Sequence, residues 1–251
     1  MRLDRPSLKM RAVEIIRGSQ PKVIYVAMAY VALTVLIGVL SARLMGVNYT
    51  QSDVEQFTEY ASSGNYDYAM DYLETMKPPF TSYALDGLLT VLSSIVGAGF
   101  IIFLLNTIRC TGPCYGNLLD GFGVFLRIII LNLLEAVFIG LWSLLLVVPG
   151  IIAAYRYSMA IYLLLDRPEL SPMACIAESS RLMSGHKMEL FVLDLSFIGW
   201  SILASLPVLG YLVRVWSVPY IGMSKALYYE QLRGADISGG TRYDQPPLPM
   251  G

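Results

Sequence analysis

Ionisable side chains inside long apolar segments are the strongest indication of chemistry in this sequence. We single out Glu135, Arg156, Asp194 and Arg214, because Arg127, Glu189 and Lys225 lie nearer the inner ends of their segments, where snorkelling explains them. Charged groups are costly in lipid, so they normally mark a polar pathway or a buried ion pair. Their signs predict an alternating ladder of charges through a helical bundle, with Glu135 and Arg156 at its centre. A structural ion pair that only holds the bundle together explains them equally well.

Other residue types that support catalysis or metal binding are sparse. Cys110 and Cys114 lack the two-residue gap of common zinc and thioredoxin sites, and no second ligand pair accompanies them. We interpret them as unreactive loop thiols. His186 is the single histidine, and no zinc-protease, phosphate-loop or nucleophile-elbow pattern is present. We therefore expect no enzymatic activity, no metal and no cofactor.

The composition places the elements that carry these residues in a membrane. Apolar residues make up 55% of the chain and charged residues 15%, with a mean hydropathy of +0.57, whereas soluble proteins carry about 25% charged residues. A run of about 20 apolar residues crosses the hydrocarbon core as a helix. We predict an all-α polytopic bundle with about six spans, at 23–45, 86–108, 122–148, 151–165, 190–209 and 211–232. Nucleic-acid binding has no support, because no basic face with interleaved aromatic residues lies outside these runs.

Turn residues and small residues predict how the helices meet. Pro149 and Gly150 separate the third and fourth runs, and they predict a tight hairpin there. Small residues spaced four apart let two helices approach closely. The pairs with this spacing are Gly38 and Ala42, Ser93 and Gly97, and Gly222 and Ala226.

The distribution of basic residues predicts the orientation. Lys and Arg concentrate in 1–22, at Arg109, in 167–187 and in the tail, so the positive-inside rule places both termini in the cytoplasm of a multi-pass cell-membrane protein. The connection 46–85 is acidic and rich in tyrosine, which places it outside. We favour a solvated loop whose tyrosines anchor at the interface. A site that collects cations or holds a partner protein is the alternative.

Two segments have the pattern of amphipathic helices on the inner membrane surface. The first is 7–17, with an apolar stripe of Leu8, Ala12 and Ile15. The second is 171–184, which begins at Ser171 as N-cap and stops at Gly185. Its predicted apolar face consists of Met173, Ile176, Ala177 and Met183.

The predicted organisation has three parts. Residues 1–22 form a cytoplasmic interfacial helix, and 23–232 form the transmembrane bundle with the outer acidic loop. Residues 233–251 are rich in glycine and proline and low in apolar content, which predicts a flexible cytoplasmic tail.

Several motifs resemble a known family. They are Leu8, Lys9, Ala12 and Gly18 near the N-terminus, the hairpin 149–157, the run 180–200, and Pro219, Tyr220, Ala226, Tyr228, Tyr229 and Leu232 in the last helix. Together they resemble a bacterial integral membrane family catalogued as domain of unknown function 975, over about 8–232. The resemblance implies a multi-span membrane protein and no particular activity.

Two functions follow as hypotheses. The first is solute transport or sensing through a polar intramembrane cavity that includes Glu135 and Arg156. The second is a non-transporting scaffold or regulatory subunit that binds other membrane proteins. In both, the lipid bilayer is the primary partner.

Overall fold

The computed structural model describes residues 5–19, 21–45, 51–75, 77–206 and 209–238. Every regular element in these ranges is a helix, which confirms the all-α prediction. The chain divides into two compact units, one of Met1–Val31 with Ile95–Gly251 and one of Ala32–Ser94. Most of the predicted tail, from residue 239 onward, lies outside the described residues.

The helices follow the chain in this order. The first group is α1 (Arg5–Gly18), α2 (Val23–Leu44), α3 (Gln51–Ser62), α4 (Tyr66–Thr75) and α5 (Phe80–Arg109). The second is α6 (Asn117–Asp120), a 3-10 turn at Gly121–Val124, α7 (Phe125–Leu145), α8 (Val147–Tyr157) and α9 (Ala160–Asp166). The last is α10 (Pro172–Leu182), α11 (Lys187–Leu195), α12 (Ile198–Ala204) and α13 (Leu209–Ser238).

Among the described residues, four helical stretches are long and apolar enough to cross a membrane. They are Val23–Leu44, Phe80–Arg109, Asn117–Leu145 and Val147–Asp166. These correspond to the first four predicted spans, and they support a membrane-embedded protein.

The fifth and sixth predicted spans differ from this pattern. Residues 190–209 do not form one continuous helix, because α11 ends at Leu195 and α12 begins at Ile198. Residues 211–232 lie within the single helix α13, which includes polar and charged positions such as Arg214 and Lys225 and is less apolar than the first four. The helix α13 also extends to Ser238, beyond the predicted start of the tail at 233.

The predicted hairpin between the third and fourth runs is present, but its turn lies elsewhere. The helical path breaks at Leu146, which has extended backbone angles of φ −165° and ψ 151°. Pro149 and Gly150 lie instead in the first turn of α8. Proline is tolerated there because backbone N–H groups in the first turn have no intrahelical partner. A Cβ on Gly150 would lie 2.1 Å from the Ser143 hydroxyl oxygen, so this glycine lets α8 pack against α7.

The two predicted interfacial helices bury faces that differ partly from the predicted ones. In α1, Leu8 and Ala12 are buried as expected, but Ile16 is buried in the core and Ile15 only partly. This face packs against α13, so α1 contributes to the core of its unit. Whether the opposite face meets the membrane surface stays a prediction.

In α10, the Ser171 hydroxyl accepts a hydrogen bond from the Ala174 N–H at 3.2 Å, as an N-cap does. Gly185 has a φ of +82°, which suits glycine at a helix stop. The buried face, however, is rotated from the predicted one. It includes Cys175, Ile176, Ser179 and Met183, whereas Met173 is 53% exposed and Ala177 is exposed.

The predicted small-residue pairs occupy different environments. A Cβ on Gly222 would lie 2.9 Å from a Leu104 methyl carbon, and Ala226 is fully buried, so this pair lies in a helix contact. Gly97 faces the Tyr30 hydroxyl, 3.6 Å from where its Cβ would be. Near Gly38, no other described residue lies within 4 Å of such a Cβ. Ala42 is exposed, and Ser93 is partly buried.

The closest backbone approach occurs at two glycines that the spacing pattern did not select. A Cβ on Gly99 of α5 would lie 2.2 Å from the Leu118 carbonyl oxygen. One on Gly121 would lie 2.2 Å from the Ile95 carbonyl oxygen. Real Cβ atoms do not approach backbone atoms this closely. Residues 117–121 can therefore pack against α5 only because both positions are glycine.

We predict that Gly99→Ala destabilises the protein by about 1–3 kcal/mol, because its Cβ must displace backbone rather than a flexible side chain. The measurement is thermal unfolding of the purified protein in detergent. The control is Gly97→Ala on the same helix, whose Cβ would make an ordinary contact with Tyr30. Equal melting temperatures for the two variants would contradict this account.

Candidate functional site

The four predicted intramembrane charges do not form a ladder. The Asp194 carboxylate of α11 pairs with Lys225 of α13, with Oδ1 3.0 Å from Nζ. Arg156 of α8 donates through Nε to the Ser180 hydroxyl of α10. Arg214 is exposed, with its guanidinium carbon 6.0 Å from the centre of the Tyr211 ring.

Glu135 stands apart from these contacts. It lies on the face of α7 that also includes the buried residues Ile128 and Leu131, and its own side chain is partly buried. Among the described residues, no hydrogen bond or ion pair to its carboxylate is present, and Arg156 bonds elsewhere. The two residues that the sequence placed at the centre of a polar site therefore do not pair.

A different group of charges comes together around Asp166. We call the set Arg109, Asp166, Tyr229, Glu230 and Arg233 the Asp166 cluster. Its central carboxylate is buried, with a side chain only 4% exposed. Asp166 Oδ1 lies 2.6 Å from Arg109 Nη1, and Oδ2 accepts a hydrogen bond of 2.8 Å from the Tyr229 hydroxyl. Arg233 Nη1 lies 3.2 Å from the same Oδ2.

The helix ends explain why these residues meet. Arg109 is the last residue of α5, Asp166 is the last residue of α9, and the other three lie in the last third of α13. Tyr229 and Arg233 are four residues apart, so they share one face of α13 and both reach Asp166. Glu230 accepts a second hydrogen bond from Arg109, with Oε1 2.8 Å from Nε.

The charges of the Asp166 cluster balance, because two guanidinium groups face two carboxylates. Both oxygens of Asp166 accept bonds from the protein itself. Such an arrangement compensates the cost of burying a carboxylate and leaves it no free oxygen for a substrate or metal. The geometry therefore supports a structural role, in which the Asp166 cluster holds the ends of three helices together.

This cluster was not predicted from the sequence, although a signal for it was present. Arg109, Asp166 and Arg233 each follow directly after a predicted span that ends at 108, 165 or 232. In the predicted orientation, all three span ends lie on the same side of the membrane. Acidic and basic residues at neighbouring ends of adjacent helices are placed to pair.

Further ion pairs lie on α10 and at the start of α11. Glu178 of α10 accepts hydrogen bonds from Arg181, with Oε1 2.7 Å from Nη2 and Oε2 3.0 Å from Nε. His186 Nδ1 lies 2.9 Å from Glu189 Oε2, and the His186 carbonyl accepts a 3.0 Å hydrogen bond from the Tyr228 hydroxyl. His186 is thus partly buried and locally engaged rather than freely solvated.

The three cysteines are free thiols in two environments. Cys110 and Cys114 are exposed, and Cys175 is buried in α10. Burial raises the pKa of the Cys175 thiol to about 11, so little thiolate exists near neutral pH. Cys175 is therefore protected from alkylation in the folded protein, whereas the other two are accessible.

We predict that Asp166→Ala lowers the free energy of unfolding by about 3–5 kcal/mol, because it leaves Arg109 and Arg233 without their buried carboxylate. Thermal unfolding in detergent measures the loss. The control is Glu74→Ala, which removes the partner of Lys77 in an ion pair whose two side chains are mostly exposed and is expected to cost about 0–1 kcal/mol. Losses of the same size in both variants would contradict a stabilising role for Asp166.

A comparison with known protein families finds a match for part of the chain. Residues 144–236 match the family model described as protein of unknown function (DUF975). No curated protein and no solved structure matches the chain. The matched segment includes α8 to α12 and α13 as far as residue 236, and with them every member of the Asp166 cluster except Arg109. Residues 144–236 therefore carry the DUF975 domain, which confirms the expected family resemblance over that segment.

Proposed function

We propose that this membrane protein is a non-transporting scaffold or regulatory subunit that binds another protein through its outer segment, and we assign it no enzymatic activity. The observation that carries the proposal is the fold of that segment. Where the sequence predicted a solvated loop, the chain between α2 and α5 contains two helices, α3 and α4. These helices pack against each other as a hairpin.

Aromatic contacts hold the hairpin together. The Tyr60 ring of α3 lies 6.3 Å from that of Tyr68 and 6.0 Å from that of Tyr72, both on α4. Ala69 is buried. The turn between the helices includes Gly64, whose φ of +76° favours glycine. A hairpin with its own contacts is a preorganised surface, and preorganisation lowers the entropic cost of binding a partner.

Exposed positions of α4 combine apolar and acidic groups. Tyr66, Tyr68 and Met70 are each more than 60% exposed. Asp67 and Asp71 are also exposed, and Asp67 is the chain neighbour of both tyrosines. Tyrosine and methionine are enriched at protein interfaces, and the carboxylates suit a partner with a basic surface. We therefore propose that the hairpin docks on a protein with basic and apolar groups.

The placement of charges in the bundle agrees with a role other than transport. Asp194, Asp166 and Glu230 have basic partners, and Arg156 bonds to a serine. Charges that pair locally stabilise the contacts between helices, and we propose that role for these four groups.

We predict that a photoreactive phenylalanine analogue at position 68 forms one discrete protein adduct when intact cells are irradiated. The yield should fall several-fold when Asp67 and Asp71 are both replaced by asparagine, because the basic partner loses its counter-charges. The control position is Ser63, an exposed polar residue at the turn of the hairpin. Adducts only with lipid, or equal yields at 63 and 68, would contradict the proposal and favour tyrosines anchored in the bilayer interface.

Solute sensing or transport at Glu135 is the second candidate. It is favoured by one observation, the partly buried carboxylate for which the described residues provide no partner. An unpaired acid within a membrane span is a default functional hypothesis. This function requires water to reach position 135, whereas the scaffold does not.

We predict that Glu135→Cys, in a variant without the native cysteines, resists small cationic thiol reagents when the protein is in liposomes. It should react fully after denaturation. Ser63→Cys is the positive control, because Ser63 is exposed and lies outside the four apolar helical stretches. Labelling of position 135 at a rate close to that of position 63 would reveal an aqueous path and reject the scaffold in favour of transport.

A further inference from the structure

A groove runs beside α1, on the flank that is not packed in the core. Leu8, Ala12 and Ile16 face inward and are buried, while the adjacent side of α1 and one residue of α13 line an open groove of about 600 Å³. Its lining includes Lys9, Val13, Glu14, Arg17, Gly18 and Tyr220.

The groove combines two cations, one acid and apolar walls. Lys9 and Arg17 are eight residues apart, which corresponds to about 12 Å along the axis of α1. Glu14 lies between them, so the charged side chains of the groove leave a net single positive charge. Val13 and the Tyr220 ring provide apolar surface beside these groups. This combination fits a ligand with one negative charge and a long apolar portion.

The two cations are placed differently. Lys9 is held at one end, with Nζ 3.4 Å from the Ser196 carbonyl oxygen and 4.3 Å from the centre of the Phe197 ring. Arg17 lies at the other end, in the last turn of α1, and its side chain is exposed. A guanidinium donates paired hydrogen bonds to phosphate oxygens. Arg17 is therefore the residue suited to bind the phosphate of a lipid headgroup.

We propose that this groove binds one anionic phospholipid. Arg17 binds the phosphodiester, and Lys9 adds a second positive charge along the groove. The glycerol and the first part of the acyl chains lie against Val13 and Tyr220. The single net charge of the groove matches the single charge of a phosphodiester, and the predicted position of α1 at the inner membrane surface brings it to the headgroups.

The same helix provides a control for general electrostatic attraction. Arg11 is exposed on α1 and does not line the groove. Arg11→Gln and Arg17→Gln remove the same charge from the same helix. A surface effect therefore weakens equally in both variants, whereas a site weakens only in the second.

The test is native mass spectrometry of the full chain in detergent, titrated with phosphatidylglycerol or with phosphatidylcholine that has the same acyl chains. We expect the wild-type protein to retain one phosphatidylglycerol in preference to phosphatidylcholine. Arg17→Gln should weaken that retention about tenfold, and Arg11→Gln less than twofold. Equal weakening in the two variants, or equal retention of the two lipids, would overturn the proposal.

Two further arms separate a lipid from other outcomes. Glycerol 3-phosphate, added as a soluble competitor, should not displace the lipid because it lacks the acyl chains; displacement at equal concentration would reassign the groove to a soluble phosphate. Val13→Trp fills the apolar part without changing charge, and it should reduce retention at least tenfold while the melting temperature stays unchanged. A stable Val13→Trp variant that still retains phosphatidylglycerol would also overturn the proposal.

Discussion

The buried Asp166 carboxylate is the group on which the arrangement of the DUF975 segment depends. A carboxylate that is 4% exposed must be compensated by close positive partners and hydrogen-bond donors. These come from two other helices, Arg109 at the end of α5 and Tyr229 and Arg233 on α13. The three helix ends must therefore meet at one depth, which fixes their offsets along the bundle.

Close backbone contacts define the remaining helix positions. At Gly99 and Gly121 an added Cβ would lie 2.2 Å from a backbone carbonyl oxygen, and at Gly150 it would lie 2.1 Å from the Ser143 hydroxyl oxygen. Each glycine thus sets a point of close approach between two segments. Such points resist sliding and rotation, because the surrounding side chains are already packed at the density of a solid. The charge cluster and the glycine contacts together specify one packing of the helices.

Two exposed surfaces carry the groups that we propose bind other molecules. The outer hairpin exposes tyrosines beside carboxylates, and the groove of α1 exposes Arg17 beside apolar walls. Of the four charges singled out from the sequence, Asp194 and Arg156 bond to other side chains, Arg214 is exposed beside Tyr211, and Glu135 has no partner among the described residues. We base the proposed binding role on the exposed surfaces and not on these charges.

The sequence by itself determined the features that depend on local properties. Hydropathy predicted the all-α fold and about six spans, of which four correspond to helical stretches long and apolar enough to cross a membrane. The Ser171 cap and the Gly185 stop followed from local hydrogen bonding and backbone freedom. Only the tertiary structure decided which charges pair and which small residues touch. Successive residues of a helix are rotated by 100° about its axis. An error of one residue in the predicted facing side, or of a few ångströms in the predicted depth, therefore changes which side chain a charged group meets. For that reason Asp194 meets Lys225 rather than Arg156, and Asp166 meets Arg109.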